Sequence, residues 1–366
     1  MRIKFYDLTR QNEVIRQEAL HEISLLLDGG SLVLGAKLEE FEAEFSRFIG
    51  GAYVIGVASG TDALEIAIRA LELPRNSEVL VPSNSFVASA IAVLRAGLVP
   101  RFTGFDLSTG LVTAADFERN LVANVSAVMP VHLFGQMAPM QEIVDLAEAN
   151  GLRVIEDSSQ AHGAAQFGIS AGSYGDISAT SFYPTKNLGG WGDGGAVVTR
   201  SPELEEKARL LRNYGGIEKY EHLTFGFNSR LDPVQAIVLL KKLKYLETWN
   251  EQRAQVWEVF DSAISASRTL NSLDVLHGNQ HVHHLSVVHS SDSRRLRSCL
   301  DKQGIQWSVH YPLLIPDTKM FCRHPQHSSP DFEAERLWAA SITSLPMFPL
   351  MAPEESELIS DAIASV

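Results

Sequence analysis

Apolar positions along the chain change their spacing several times, and each change marks an element. Between residues 12 and 27, Val14, Ile15, Ala19, Ile23 and Leu26 recur on one helical face, and Gly29-Gly30 closes the stretch. From about residue 52 short apolar runs alternate with helical patterns. Ser59-Gly60-Thr61 leads into a predicted helix Asp62–Leu73, and strand Glu78–Val81 follows. Helix Phe86–Ala96, strand Val99–Phe102, helix Thr113–Leu121 and strand Ala127–Leu133 continue the series. Helix Pro139–Asn150, strand Arg153–Glu156, strands near 177–183 and 195–199, and helix Pro202–Asn213 complete it. This alternation predicts an α/β fold with a mainly parallel sheet covered on both faces. Ligands of such sheets bind beyond the carboxyl ends of the strands.

The pattern changes after a predicted helix Pro233–Trp249. A smaller α/β unit follows, with strand Leu285–His289, a helix near 293–303 and a last helix from Pro353. The expected division is a large domain over 1–248, with an N-terminal helix or arm, and a small domain over 249–366.

Composition narrows the choice of partners. The 366 residues are 45% hydrophobic and 20% charged, and the net charge is −13. That acidity argues against nucleic acid and anionic membrane as partners. The two cysteines, Cys299 and Cys322, provide neither a disulfide framework nor a zinc motif. No apolar run reaches the length of a membrane span, and residues 1–7 lack a signal-peptide core. A cytoplasmic protein is expected.

Three places carry chemistry. Lys186 follows a predicted strand end and precedes Gly189-Gly190, a setting in which a desolvated amine can form an imine with a carbonyl compound. Upstream, Val154-Ile155-Glu156-Asp157 ends a strand in carboxylates, followed by Ser158-Ser159-Gln160-Ala161-His162-Gly163. Asp157 there is suited to protonating a pyridine ring, the electron sink of pyridoxal phosphate (PLP). Further upstream, Ala58-Ser59-Gly60-Thr61 opens a helix whose free N–H groups suit an anion such as phosphate. Singly, these read equally well as a loop lysine, a loop-capping aspartate and an ordinary helix cap. Their order, with each at a strand end, points to a PLP enzyme. Gly190, Gly192 and Gly195 also spell G-x-G-x-x-G, but they lead into an apolar strand instead of opening a helix, which excludes a dinucleotide fingerprint. His281, His283 and His284 cluster without a carboxylate or cysteine at ligand spacing, so no metal site is expected.

From about residue 30 to 250 the chain resembles the DegT/StrS-type nucleotide-sugar aminotransferases. The matching segments include Ser59–Leu64, Val131–Gln136, Ile155–Asp157, Gln160–Ala164, Phe182–Gly189, Gly192–Ala196, Arg212–Gly215 and Gly226–Asp232. The resemblance implies the aspartate-aminotransferase-like architecture of fold type I PLP enzymes. It implies that Lys186 carries PLP as a Schiff base and moves the reacting proton. Asp157 then pairs with the ring nitrogen, Gln160 bonds the ring hydroxyl and Phe86 stacks on the ring. Gly60, Thr61 and Ser181 cradle the phosphate. Asn228 reaches the phosphate of a neighbouring subunit, so a homodimer with shared sites is implied. Tyr183, Tyr214, Lys219, Tyr220, His310 and Tyr311 match positions lining the sugar pocket.

The implied reaction moves an amino group from an amino acid, with glutamate favoured, to a keto group of a nucleotide-linked keto-6-deoxyhexose. C3 is favoured over C4, and pyridoxamine 5′-phosphate is the intermediate cofactor form. The product is an amino sugar for lipopolysaccharide or an antibiotic. Lysine at 186, where some relatives carry histidine, argues against the dehydrating branch. The segment from Pro312-Leu313-Leu314 to about Phe332, and Val282–Ser286, depart from the family wording. A keto-cyclitol or aminobenzoate-type acceptor, and a non-catalytic PLP-binding regulator, remain as alternatives.

Overall fold

The computed structural model describes residues 2–218, 220–323 and 331–366. Seven strands form the main sheet: β1 (Tyr53–Val57), β2 (Glu78–Pro82), β3 (Val99–Thr103), β4 (Val125–Val128), β5 (Arg153–Asp157), β6 (Ile177–Ser181) and β7 (Gly195–Thr199). Their order across the sheet is β1-β7-β6-β5-β4-β2-β3. The pairs β2/β3, β2/β4, β4/β5 and β5/β6 are parallel, and β7 runs against both β1 and β6. The sheet is therefore mainly parallel, as the spacing predicts, with one reversed strand.

Helices cover the sheet, so its strands are near-continuous apolar runs. Ile55 and Val57 of β1, Val79 and Val81 of β2, and Ile155 of β5 are buried with Leu64 and Ile68 of the helix Gly60–Ala70. A helix not anticipated from the sequence, Ala36–Phe48, packs Leu38, Phe41 and Phe45 against the other side of β1, beside Phe182 and Leu231. The first helix starts earlier than its apolar face suggests, at Leu8, because Asp7 Oδ1 accepts from Thr9 N at 3.2 Å and caps it. Its apolar positions are unevenly covered: Ile15 and Ala19 are buried, whereas Val14, Leu20, Leu25 and Leu27 are exposed.

The predicted strand Ala127–Leu133 stops at Val128. Beyond it the chain tightens into a short 3-10 turn over Leu133–Gly135, with Phe134 at positive φ. The predicted helix Pro233–Trp249 is two helices, Pro233–Leu243 and Leu246–Ala266, and the second runs straight through position 248. Behind it, β8 (Leu270–Ser272), β9 (Ser286–Ser290) and β10 (Ile342–Leu345) form an antiparallel sheet in that order. Its core gathers Phe260, Val288, Leu296, Leu345 and Ile359. Ile3 is buried in the same cluster and pairs with Ile305, and Phe5 N donates to Gln306 Oε1 at 2.9 Å. The first residues of the chain are thus held by the last third.

Candidate active site

Because β7 alone is reversed, the carboxyl ends of β1, β2, β5 and β6 meet along one edge of the sheet. Val57 and Ser181 both pair with Gly195, so the ends of β1 and β6 flank the start of β7. Only glycine fits there: a Cβ on Gly195 would lie 2.5 Å from the Ser59 carbonyl, and one on Gly60 would lie 2.6 Å from Ser181 Cβ. These contacts press the helix start Ser59–Thr61 against the loop that carries Lys186.

At this edge a cavity of about 590 Å³ opens. Gly60, Thr61, Phe86, Asp157, Gln160, Ser181 and Lys186, expected from the sequence to hold the cofactor, all line it. Tyr183, His310 and Tyr311 of the expected sugar pocket line it too. Tyr214, Tyr220 and Asn228 do not; they are exposed on the segment after the helix Pro202–Arg212, where Arg230 donates to Asn228 Oδ1. Lys219 lies outside the described residues.

The strand end of β5 separates two carboxylates. Glu156, fully buried, accepts from the backbone N–H groups of Gly172, Tyr174 and Gly175 and sits 2.9 Å from His132 Nε2. It fastens a loop. Asp157 points to the opposite face, as alternation along a strand requires, and lines the cavity. Ser89 Oγ donates to Asp157 Oδ2 at 2.8 Å, and Ser159 N donates to Oδ1 at 3.2 Å. Gln160 is held through its Oε1, which accepts from Phe134 N at 2.8 Å, while its Nε2 donates to the Tyr311 hydroxyl at 3.2 Å. One Nε2 hydrogen is left for a ligand.

Lys186 is half-buried in the cavity lining, and desolvation there pushes its amine down to about 8, against the Asp157 carboxylate, which holds it up. A substantial neutral fraction at neutral to mildly basic pH is what imine formation requires. The loop around it is pinned from two sides. Lys242 Nζ donates to the Gly189 carbonyl at 2.8 Å, and Asn187 bonds Asn250 Oδ1 and the Val282 carbonyl. Burial, and then the Lys186 charge, lowers His310 to about 4 and His162 to about 3, so both rings are neutral.

Several site residues escape a reading of the sequence. Tyr6 and Ser89 reach the cavity or its aspartate from segments with no chemical signature, whereas Thr185 and Asp193 lie in matched segments without an assigned role and His284 lies in the histidine cluster. Tyr6 is pushed up to about 12 by burial, so it stays a protonated phenol. Two members of the histidine cluster pack on one another: the His281 and His283 rings stack at 4.1 Å, and His283 lies against Trp257, while His284 turns to the cavity. Among the described residues no group of three or more His, Cys, Asp or Glu is placed to hold a metal ion, and no helix is long and apolar enough to cross a membrane.

The sequence profile of the DegT/DnrJ/EryC1/StrS aminotransferases matches residues 13–364. The chain belongs to this family. It is 37% identical to the dTDP-3-amino-3,4,6-trideoxy-alpha-D-glucose transaminase of Streptomyces venezuelae, over 99% of this chain and 95% of that one. It is 39% identical to the UDP-N-acetyl-3-dehydro-alpha-D-glucosamine 3-aminotransferase of Acidithiobacillus ferrooxidans, over 99% and 97%. The crystal structure of S. venezuelae DesV in complex with a ketimine intermediate superposes with a TM-score of 0.95 at 36% identity, covering 100% of this chain and 98% of that one. This member of the DegT/DnrJ/EryC1/StrS family is a transaminase, and its cofactor is PLP. The fold is that of the PLP aminotransferases, as the sequence resemblance implies.

Proposed function

We propose that the protein transfers the amino group of an amino acid, with glutamate as donor, to the C3 keto group of a nucleotide-linked keto sugar. One observation carries the choice of substrate: relatives 37% and 39% identical over 99% of this chain are both named for an amine at sugar C3. The cavity supports the chemistry. Gly60, Thr61 and Ser181 would hold the phosphate at a helix start, Asp157 the ring nitrogen, Gln160 the ring hydroxyl and Phe86 a ring face. The glycine-dependent approach of Ser59–Thr61 to Ser181 favours this fit, since it sets a helix start, a natural anion site, in the lining of the cavity beside the lysine. When bound, PLP supplies an aldehyde and an electron-accepting ring.

The residues of the chain do the rest. Lys186, as a neutral amine, takes the proton from the donor's α-carbon and later delivers a proton to sugar C3. Asp157, fixed by Ser89 and Ser159, would pair with the ring nitrogen and so help the ring accept electrons. The neutral imidazoles of His162 and His310 surround the amine without competing for positive charge. Tyr183, His310 and Tyr311 line the side on which the sugar would lie.

A second copy of the chain completes the site in this reading. Asn228 lies outside the cavity of its own subunit, and the exposed apolar residues Leu20, Leu25 and Leu27 offer a surface for association. Light scattering is expected to give a dimer. The decisive assay is separate measurement of the two half-reactions: glutamate with the PLP enzyme, then dTDP- and UDP-linked 3-keto and 4-keto sugars with the pyridoxamine form. Preferential turnover of 4-keto sugars, or of a free cyclitol ketone, would overturn the proposal.

A further inference from the structure

A relay of amides fixes the protonation of a histidine in the cavity wall. Asn250 Nδ2 donates to the His162 carbonyl at 2.9 Å, which turns its Oδ1 toward Asn187. Asn187 Nδ2 donates to that Oδ1 at 2.8 Å and to the Val282 carbonyl at 2.9 Å, and both its hydrogens are then used. Asn187 Oδ1 lies 3.0 Å from His284 Nδ1. That oxygen can only accept, so the His284 proton sits on Nδ1. Two backbone carbonyls, which can do nothing but accept, thereby decide two amide orientations and one tautomer.

His284 Nε2 is left as a bare lone pair. Among the described residues no donor reaches it, yet it is not sealed away as His162 Nδ1 is. The ring lines the cavity beside Lys186 and His310. Burial first, and then the charge of Lys186, holds its pKa well below the usual histidine value, so the lone pair persists at working pH. The carboxylates of a donor such as glutamate cannot bond it, because a carboxylate oxygen and a lone pair repel, and the donor's amine is the reacting group. A sugar hydroxyl is the neutral donor that fits.

We infer that His284 Nε2 accepts a hydrogen bond from a ring hydroxyl of the amino-accepting sugar and thereby selects that substrate. The inference rests on the nucleotide-sugar reading above. Two variants of the holoenzyme separate it from a packing role. His284→Asn keeps an amide N–H where Nδ1 bonds Asn187 but deletes the cavity acceptor. His284→Gln places an amide oxygen near the position of Nε2. With His284→Asn, the glutamate half-reaction is expected to stay within about twofold of wild type, while kcat/KM for the keto sugar falls about 10- to 100-fold. His284→Gln recovers most of that loss. A deoxy analogue lacking the bonded hydroxyl no longer distinguishes wild type from His284→Asn.

Unchanged sugar kinetics in His284→Asn, or equal losses in both half-reactions, would overturn the inference. If wild type reacts with glutamate but with no nucleotide-linked keto sugar, the substrate reading fails by itself. The ¹⁵N shifts of His284 in the free enzyme then decide the histidine. An Nδ1–H tautomer unchanged from about pH 5.5 to 8.5 supports a fixed acceptor, and an Nε2–H tautomer removes it.

Discussion

The floor of the cavity and its wall are assembled in opposite ways. Asp157, Gln160, Ser181 and Lys186 form the floor within one short stretch of chain, at the ends of two adjacent parallel strands. Tyr6, His284, His310 and Tyr311 form the wall from the first residues and the last third. Floor residues are set by strand direction and by bonds to near neighbours. Wall residues depend on how distant segments dock. Chemistry common to all transaminases can therefore sit on the floor, while the wall is free to vary with the substrate.

Substitutions can break or sharpen this contrast. Lys186→Ala should lower transamination by at least about 1,000-fold, with the circular dichroism spectrum unchanged. Residual activity near wild type would remove the floor from the mechanism. Asp157→Asn should lower kcat on the order of 100-fold. It should also move the Lys186 amine, now near 8, to lower pH in the cofactor-free protein, because the carboxylate is what holds it up. Labelling with an amine reagent across pH reads this: the neutral, reactive fraction grows as pH rises through the midpoint, and the variant should react earlier. A midpoint that rises instead would contradict the pairing.

The neighbouring carboxylate provides the control. Glu156→Gln loses charged acceptors for three backbone N–H groups and should cost about 3 kcal/mol of stability, seen as a lower Tm, while activity per folded molecule stays within about twofold. Two adjacent carboxylates would then separate catalysis from folding. Among the changes inside the cavity, the smallest loss is expected from a single wall hydroxyl. Tyr311→Phe removes the hydroxyl that accepts from Gln160 and should cost about 2- to 10-fold, mainly in KM for the sugar.

The same contrast explains what could be read from the chain alone. The floor was legible because its residues lie in contiguous motifs at predicted strand ends. Asp157 and Lys186 share the cavity as their positions implied. Ser89 was not legible, because nothing in its helix announces an aspartate on another strand. His284 carried a signal that pointed the wrong way, since a histidine cluster suggests metal more readily than a tautomer held by an asparagine relay. The helix Ala36–Phe48 carries a periodic signal in Leu38, Phe41 and Phe45, but Gly35 gives its start no side-chain cap to mark it. The break between Leu243 and Leu246 has no glycine or proline to mark it.

The tether of Ile3 to Ile305 and of Phe5 to Gln306 also couples distant parts of the chain. Tyr6 stands next to that tether and bonds the Thr185 side chain, the neighbour of Lys186, so one phenol joins the docked segments to the lysine loop. A change that frees residues 3–6 from 304–306 should therefore loosen the substrate side of the cavity while Asp157 and Lys186 keep their places.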